Sequence, residues 1–162
     1  VNDEQAVSPV IAVILMVAIT VVLAAVLYVW ASSFLGGTTK NAPTGSMIAS
    51  EDGSGVWTIQ IVKINPQVSV NSVHWYLLDV QGNTKTDALV SDVYGYYSGQ
   101  GKAVVFIDND FNGKLSPGDK FEVHPGEADS DLASVSDVSD YSFRMKFEPT
   151  GDVIGYDIGL QA

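Results

Sequence analysis

The sequence predicts an α+β chain, with a long apolar N-terminal α-helix followed by an all-β, immunoglobulin-like sandwich. Three observations point to this class. No Asp, Glu, Lys or Arg interrupts residues 5–39, QAVSPVIAVILMVAITVVLAAVLYVWASSFLGGTT. From about residue 46 the apolar period changes to two, in short runs rich in Val, Ile and aromatic residues. Gly, Pro, Asn and Asp divide those runs, and no helix-length apolar pattern lies between them, which indicates an antiparallel sandwich or barrel.

The helix comes first. Residues 10–35 hold Val, Ile, Leu, Ala and Met, with Tyr28, Trp30 and Phe34 towards the end and neither Gly nor Pro. Roughly 20 apolar residues span a bilayer as a helix, so the run is long enough. Only Thr20, Ser32 and Ser33 break its apolar surface, and small hydroxyls can bond back to helix carbonyls. A helix apolar all round must be covered on every side, by lipid or by copies of itself. Ser8 as N-cap and Pro9 at the first helical position place its start there; a helix already begun near Asp3 that tolerates Pro9 is the alternative. Asp3 and Glu4 suit a helix N-terminus on dipole grounds. Gly36 and Gly37 stop the helix. The first segment is thus residues 1–37, and the polar, turn-rich stretch 38–45 is a hinge into the domain 46–162. Hydropathy alone fits a plain single-span anchor. Val1 is not Met, however, and no basic residue precedes the apolar run, so a preceding leader is expected to have been cut away.

Residues 3–31, DEQAVSPVIAVILMVAITVVLAAVLYVWA, resemble the N-terminus of a mature archaeal type IV pilin. The likeness covers roughly a fifth of the chain, and SPVIAVILMVAIT matches as consecutive residues rather than as a spaced pattern. The resemblance implies a short basic leader removed by a prepilin peptidase just before Val1, and residence in the membrane before assembly. It also implies a pilus assembly machinery and a helical homopolymer, with the N-terminal helices as its core and globular headpieces outside. Bacterial relatives usually have Glu at the fifth mature position, whereas this chain has Glu4 and then Gln5. Burying Asp3 and Glu4 in a dry core demands a partner, and the amine of Val1 is the expected one, with Glu4 preferred for its longer reach.

The headpiece strands follow in order. GVWTIQIVKI (55–64) alternates Trp57, Ile59 and Ile61 with Thr58 and Gln60, and ends at the turn pair Asn65-Pro66. SVHWYLLDV (72–80), AVVFI (103–107), KFEV (120–123), YSFRMKF (141–147) and VIGYDI (153–158) read the same way. Tyr94, Tyr96 and Tyr97 lie in a Gly-rich loop, with rings either packed back on the sheet or offered as a contact surface. About 120 residues suffice for a buried core. There is no Cys, so disulfides and thiolate metal sites are excluded. Of the net charge of −11, the residues from Lys40 onward carry 17 acids against 8 bases, a net −9. Such a surface repels phosphates and argues against nucleic acid as a partner.

Catalytic patterns are missing from the sequence. His74 and His124 fall on separate predicted strands, where packing or surface roles are usual, and no Ser-His-Asp spacing, phosphate loop or HExxH helix is present. Asp129, Asp131, Asp137 and Asp140 read as a solvated acidic loop. DNDFNGKLSPGD (108–119) stands out. It resembles an EF-hand calcium loop, with Asp108, Asp110 and Asn112 at positions one, three and five, Gly113 at six, the Lys114 carbonyl at seven, Ser116 at nine and Asp119 at twelve. Gly at six lets the backbone turn so that alternate oxygens point at one centre, and hard oxygen ligands suit Ca²⁺. Position twelve is Asp rather than Glu, and strands flank the loop instead of helices. The choice lies between a structural calcium clamp, the reading adopted, and a metal-free hairpin turn rich in Asn and Asp. The expected function is a structural, non-enzymatic subunit of an extracellular adhesion pilus on the cell surface. An archaeal flagellar filament subunit and a solitary membrane-anchored domain binding calcium or another ligand are the alternatives.

Overall fold

The computed structural model describes residues 4–35, 41–96, 100–128 and 130–161, with helix side chains described over Pro9–Trp30. Two compact units result, residues 1–40 and 41–162.

Helix α1 runs over Glu4–Leu35. It begins a turn before Pro9, so the Ser8 cap is overturned and the earlier start holds. Pro9 has no N–H to give the Gln5 carbonyl, but that loss falls in the first turn and leaves the downstream ladder whole. Four consecutive residues go once round a helix. Here Val13, Ile14, Leu15 and Met16 are between 56% and 68% exposed, so no face of this stretch is covered within the chain. Residues 9–30 are long and apolar enough to cross a membrane. The Thr20 hydroxyl donates to the Val17 carbonyl at 2.9 Å, which hides its polarity within the helix as the sequence suggested. The expectations for Asp3, the Glu4 side chain, Ser32, Ser33, the Gly36-Gly37 stop and residues 38–40 lie outside the described residues.

The second unit is antiparallel β structure. Its strands are β1 (Thr44–Glu51), β2 (Trp57–Asn65), β3 (Val68–Ser69), β4 (Val73–Leu78), β5 (Thr84–Leu89) and β6 (Val104–Ile107). They continue with β7 (Lys114–Leu115), β8 (Lys120–Val123), β9 (Ser142–Phe147), β10 (Asp152–Val153) and β11 (Ile158–Gly159). One sheet has the order β1-β2-β8-β6, the other β10-β9-β4-β5 with β11 also on β9, and β3 pairs with β7 in a short ribbon. The helix-plus-antiparallel-sheet class is therefore as expected.

Alternation decides which side chains enter the core. Trp57, Ile59 and Ile61 of β2 are buried while Gln60 faces solvent. Opposite Ser46 and Met47 the register skips Val62, and this bulge turns Ile64 inward and leaves Val62 50% exposed. Val73, Trp75 and Leu77 of β4 and Phe143, Met145 and Phe147 of β9 enter the same cluster from the other sheet. The Phe121 ring of β8 lies 4.9 Å from Phe143 and 4.8 Å from Phe106, joining the two sheets. Leu132 and Val138 are buried from the loop that holds Asp131, Asp137 and Asp140, whose own side chains are exposed as expected. The run 153–158 is a correction to the sequence reading. It splits into β10 and β11 round Gly155, whose φ is +76° and where a Cβ would come within 2.4 Å of the Gly45 carbonyl.

Candidate metal centre

Strands β6 and β8 are neighbours with Phe106 opposite Phe121, and residues 108–119 form the loop that joins them. Gly113 takes φ +70° and Gly118 φ +101°, so the chain reverses where the sequence put its position-six glycine. The loop is tied to its surroundings at several points. Val70 N–H donates to the Gly113 carbonyl at 3.2 Å, Ile61 N–H to the Asp119 carbonyl at 2.8 Å, and Gly118 N–H to the Ile61 carbonyl at 2.8 Å.

Three of the expected ligands converge. One oxygen of each of Asp108, Asp110 and Asp119 lies within 4.8 Å of the others, with Asp108 and Asp119 buried and Asp110 exposed. Asp119 fastens the loop ends: its Oδ1 accepts Asn109 N–H at 2.9 Å, and its Oδ2 accepts Ser116 N–H at 2.7 Å and the Ser116 hydroxyl at 2.9 Å. Asn109 also donates from Nδ2 to the Gly118 carbonyl. Asp108 Oδ2 accepts Gly113 N–H at 2.9 Å and the Tyr94 hydroxyl at 3.2 Å. Asp110 accepts from Asn112 Nδ2 at 2.7 Å and from the Ser116 hydroxyl at 3.0 Å. Asn112 thus meets the cluster through its amide nitrogen, while its oxygen accepts Lys114 N–H at 2.7 Å. Lys114 itself pairs with Ser69 between β7 and β3.

The electrostatics are one-sided. None of the ion pairs among the described residues includes Asp108, Asp110 or Asp119. Burial pushes the Asp119 carboxyl up, and the charge of Asp108 adds to this against the hydrogen bonds it accepts. Burial also works against ionisation of Asp108, but the donors led by Gly113 N–H outweigh it and hold that carboxyl below the usual range. Asp108 Oδ1 is buried and has no hydrogen-bond donor among the described residues.

Tyr94 and Asn109 are parts of this centre that the spacing did not reveal. The Tyr94 ring packs on Phe106 at 6.2 Å, as expected for a loop folded back on the sheet, and Tyr96 lies under the Lys102 ammonium at 5.1 Å. Tyr97 and Asp129 lie outside the described residues. The histidines are apart. His74 contacts Asp87 at 2.7 Å and Glu148 at 3.2 Å on the outer face of β4, whereas His124 is buried 3.5 Å from Glu122.

Comparison with known proteins gives one result, and it concerns the first unit. Residues 5–46 match the family model described as archaeal type IV pilin, N-terminal. Neither curated proteins nor solved structures gave a match to the chain.

Proposed function

We propose, taking as premise that residues 5–46 are an archaeal type IV pilin N-terminal segment, that this chain is the structural subunit of an extracellular adhesion pilus. Residues 1–37 are the filament-core segment and the second unit is the headpiece displayed outside; because β1 already begins at Thr44, the expected 38–45 hinge ends before that residue. The single observation that carries the reading is α1, a helix of 32 residues that lies in the matched segment from its second residue onward and whose described side chains are exposed all round. Such a helix needs cover from lipid before assembly and from other copies of itself afterwards.

The roles follow from that requirement. A prepilin peptidase frees the N-terminus, the membrane holds α1 until use, and an assembly machinery draws subunits into a helical homopolymer at the cell surface. The chain turns over no substrate; its work is mechanical and adhesive. Electron microscopy of sheared cell-surface material tests this directly. Regular fibres containing the chain are the expected result, and recovery of the chain only with membranes would favour the solitary anchored domain.

A further inference from the structure

We propose that Asp108, Asp110 and Asp119 hold one Ca²⁺ that fastens the 108–119 loop to the headpiece. The inference stands on the loop and is independent of the filament reading.

Three carboxylates converge within 4.8 Å and no cationic side chain among the described residues pairs with them. Local hydrogen bonds do not meet their demand. Asp108 is 5% exposed, yet its Oδ1 has no donor among the described residues. Ser116 Oγ lies 3.0 Å from Asp110 Oδ2 and 2.9 Å from Asp119 Oδ2, but a hydroxyl has one proton and serves one carboxylate at a time. An unmet buried acceptor and a shared proton are the deficit that a divalent cation removes, because it accepts lone pairs from several oxygens and reverses the sign of their mutual repulsion. Oxygen-only ligands on a loop of alternating side chains favour Ca²⁺, which takes six to eight oxygens in adaptable geometry, over Mg²⁺, which demands a near-ideal octahedron. Ser116 Oγ, already in reach of two of the carboxylates, is the neutral oxygen closest to hand. The Lys114 carbonyl and water complete the expected shell; Asn112 joins it only on turning its amide, whose nitrogen now faces Asp110 and whose oxygen accepts Lys114 N–H.

The loop is also preformed. Asp119 bonds to Asn109 N–H and Ser116 N–H, and Gly118 and the Asp119 carbonyl are tied to Ile61 of β2. An ion held there reinforces the β2-β8 junction rather than driving a large movement, which makes it a clamp and not a switch.

The test uses the full chain in non-ionic detergent, stripped with a chelator and titrated with CaCl₂ in a calorimeter, with thermal melting in parallel. One site with Kd of about 10⁻⁴ to 10⁻³ M is expected, and 10 mM Ca²⁺ should raise the melting temperature by about 3 to 6 °C. Asp110 is exposed, so Asp110→Asn should fold and weaken binding by about tenfold or more. No binding heat together with an unchanged melting temperature in the unmutated chain would overturn the proposal, and that outcome needs no variant. Calcium binding that Asp110→Asn leaves intact would place the ion elsewhere, and Mg²⁺ bound as tightly would reject the calcium assignment.

Discussion

Phe111 sits at the fourth position of the acidic loop, 86% exposed and with φ +56°. A bulky side chain gains almost nothing there and pays roughly 1 to 2 kcal/mol for a left-handed backbone. Asn tolerates that region, so Phe111→Asn should raise the melting temperature of the full chain by about 2 to 5 °C, and no rise would show that the ring has a packing role. Asp79 offers a second residue-scale test. Its carboxylate accepts Asn83 N–H and Gln81 N–H at 2.9 Å each, and these bonds hold it below the usual range. A depressed folded-state pKa contributes stability above the unfolded value of about 3.9, and that contribution is lost as pH falls through the folded value. Asp79→Ala should therefore melt below the wild type at pH 7, and the gap should close in acid; a gap independent of pH would exclude this linkage. At this scale the sequence was legible where partners are close in the chain. Asp108, Asp110 and Asp119 lie in one loop and their spacing announced them. Tyr94 reaches Asp108 from a segment held against β6, where the Val93 carbonyl accepts Phe106 N–H at 3.0 Å, a contact that no spacing rule encodes.

Among the elements, strands with buried apolar residues were readable, the edge strand β6 included, and the polar edge strands β1 and β5 were not. In β2, β4 and β9 the apolar residues fall on one face of a sheet with neighbours on both sides, so period two is written in the sequence. Strands β1 and β5 are at sheet edges, and in TGSMIASE and TKTDAL few side chains are buried, so the pattern fades into polar residues. The split of β10 from β11 was hidden for another reason, since it depends on how closely Gly155 passes Gly45. That contact makes Gly155→Ala a sharp test. A Cβ 2.4 Å from a backbone oxygen, added to φ +76°, should cost about 2 to 4 kcal/mol. Denaturant midpoints followed by the fluorescence of the buried Trp57 and Trp75 would measure it, and a loss below about 1 kcal/mol would mean that the two segments separate easily. Phe121, in contact with rings from both sheets, should lose about 3 to 5 kcal/mol on Phe121→Ala by the same measurement.

For the whole molecule, the helix and the headpiece answer to different solvents. An acidic group at the centre of an apolar helix costs about 2.5 to 3.5 kcal/mol in a bilayer, and a dry helical bundle would offer it no partner. Val17→Asp, which lies within the matched segment, should abolish fibres in sheared preparations while the headpiece keeps its near-UV circular dichroism in the detergent-solubilised chain. Normal fibre yield from that variant would remove α1 from the core. The similar exposure of Val13, Ile14, Leu15 and Met16 has a geometric consequence for any assembly. A helix with the same chemistry at every azimuth gives its neighbours no preferred angle about its own axis, so only the shapes of its side chains and the headpieces outside remain to select one. One subunit is then expected to wind at more than one pitch, and filament images should sort into several helical classes; a single class would mean that side-chain shape or headpiece contacts suffice to set the winding.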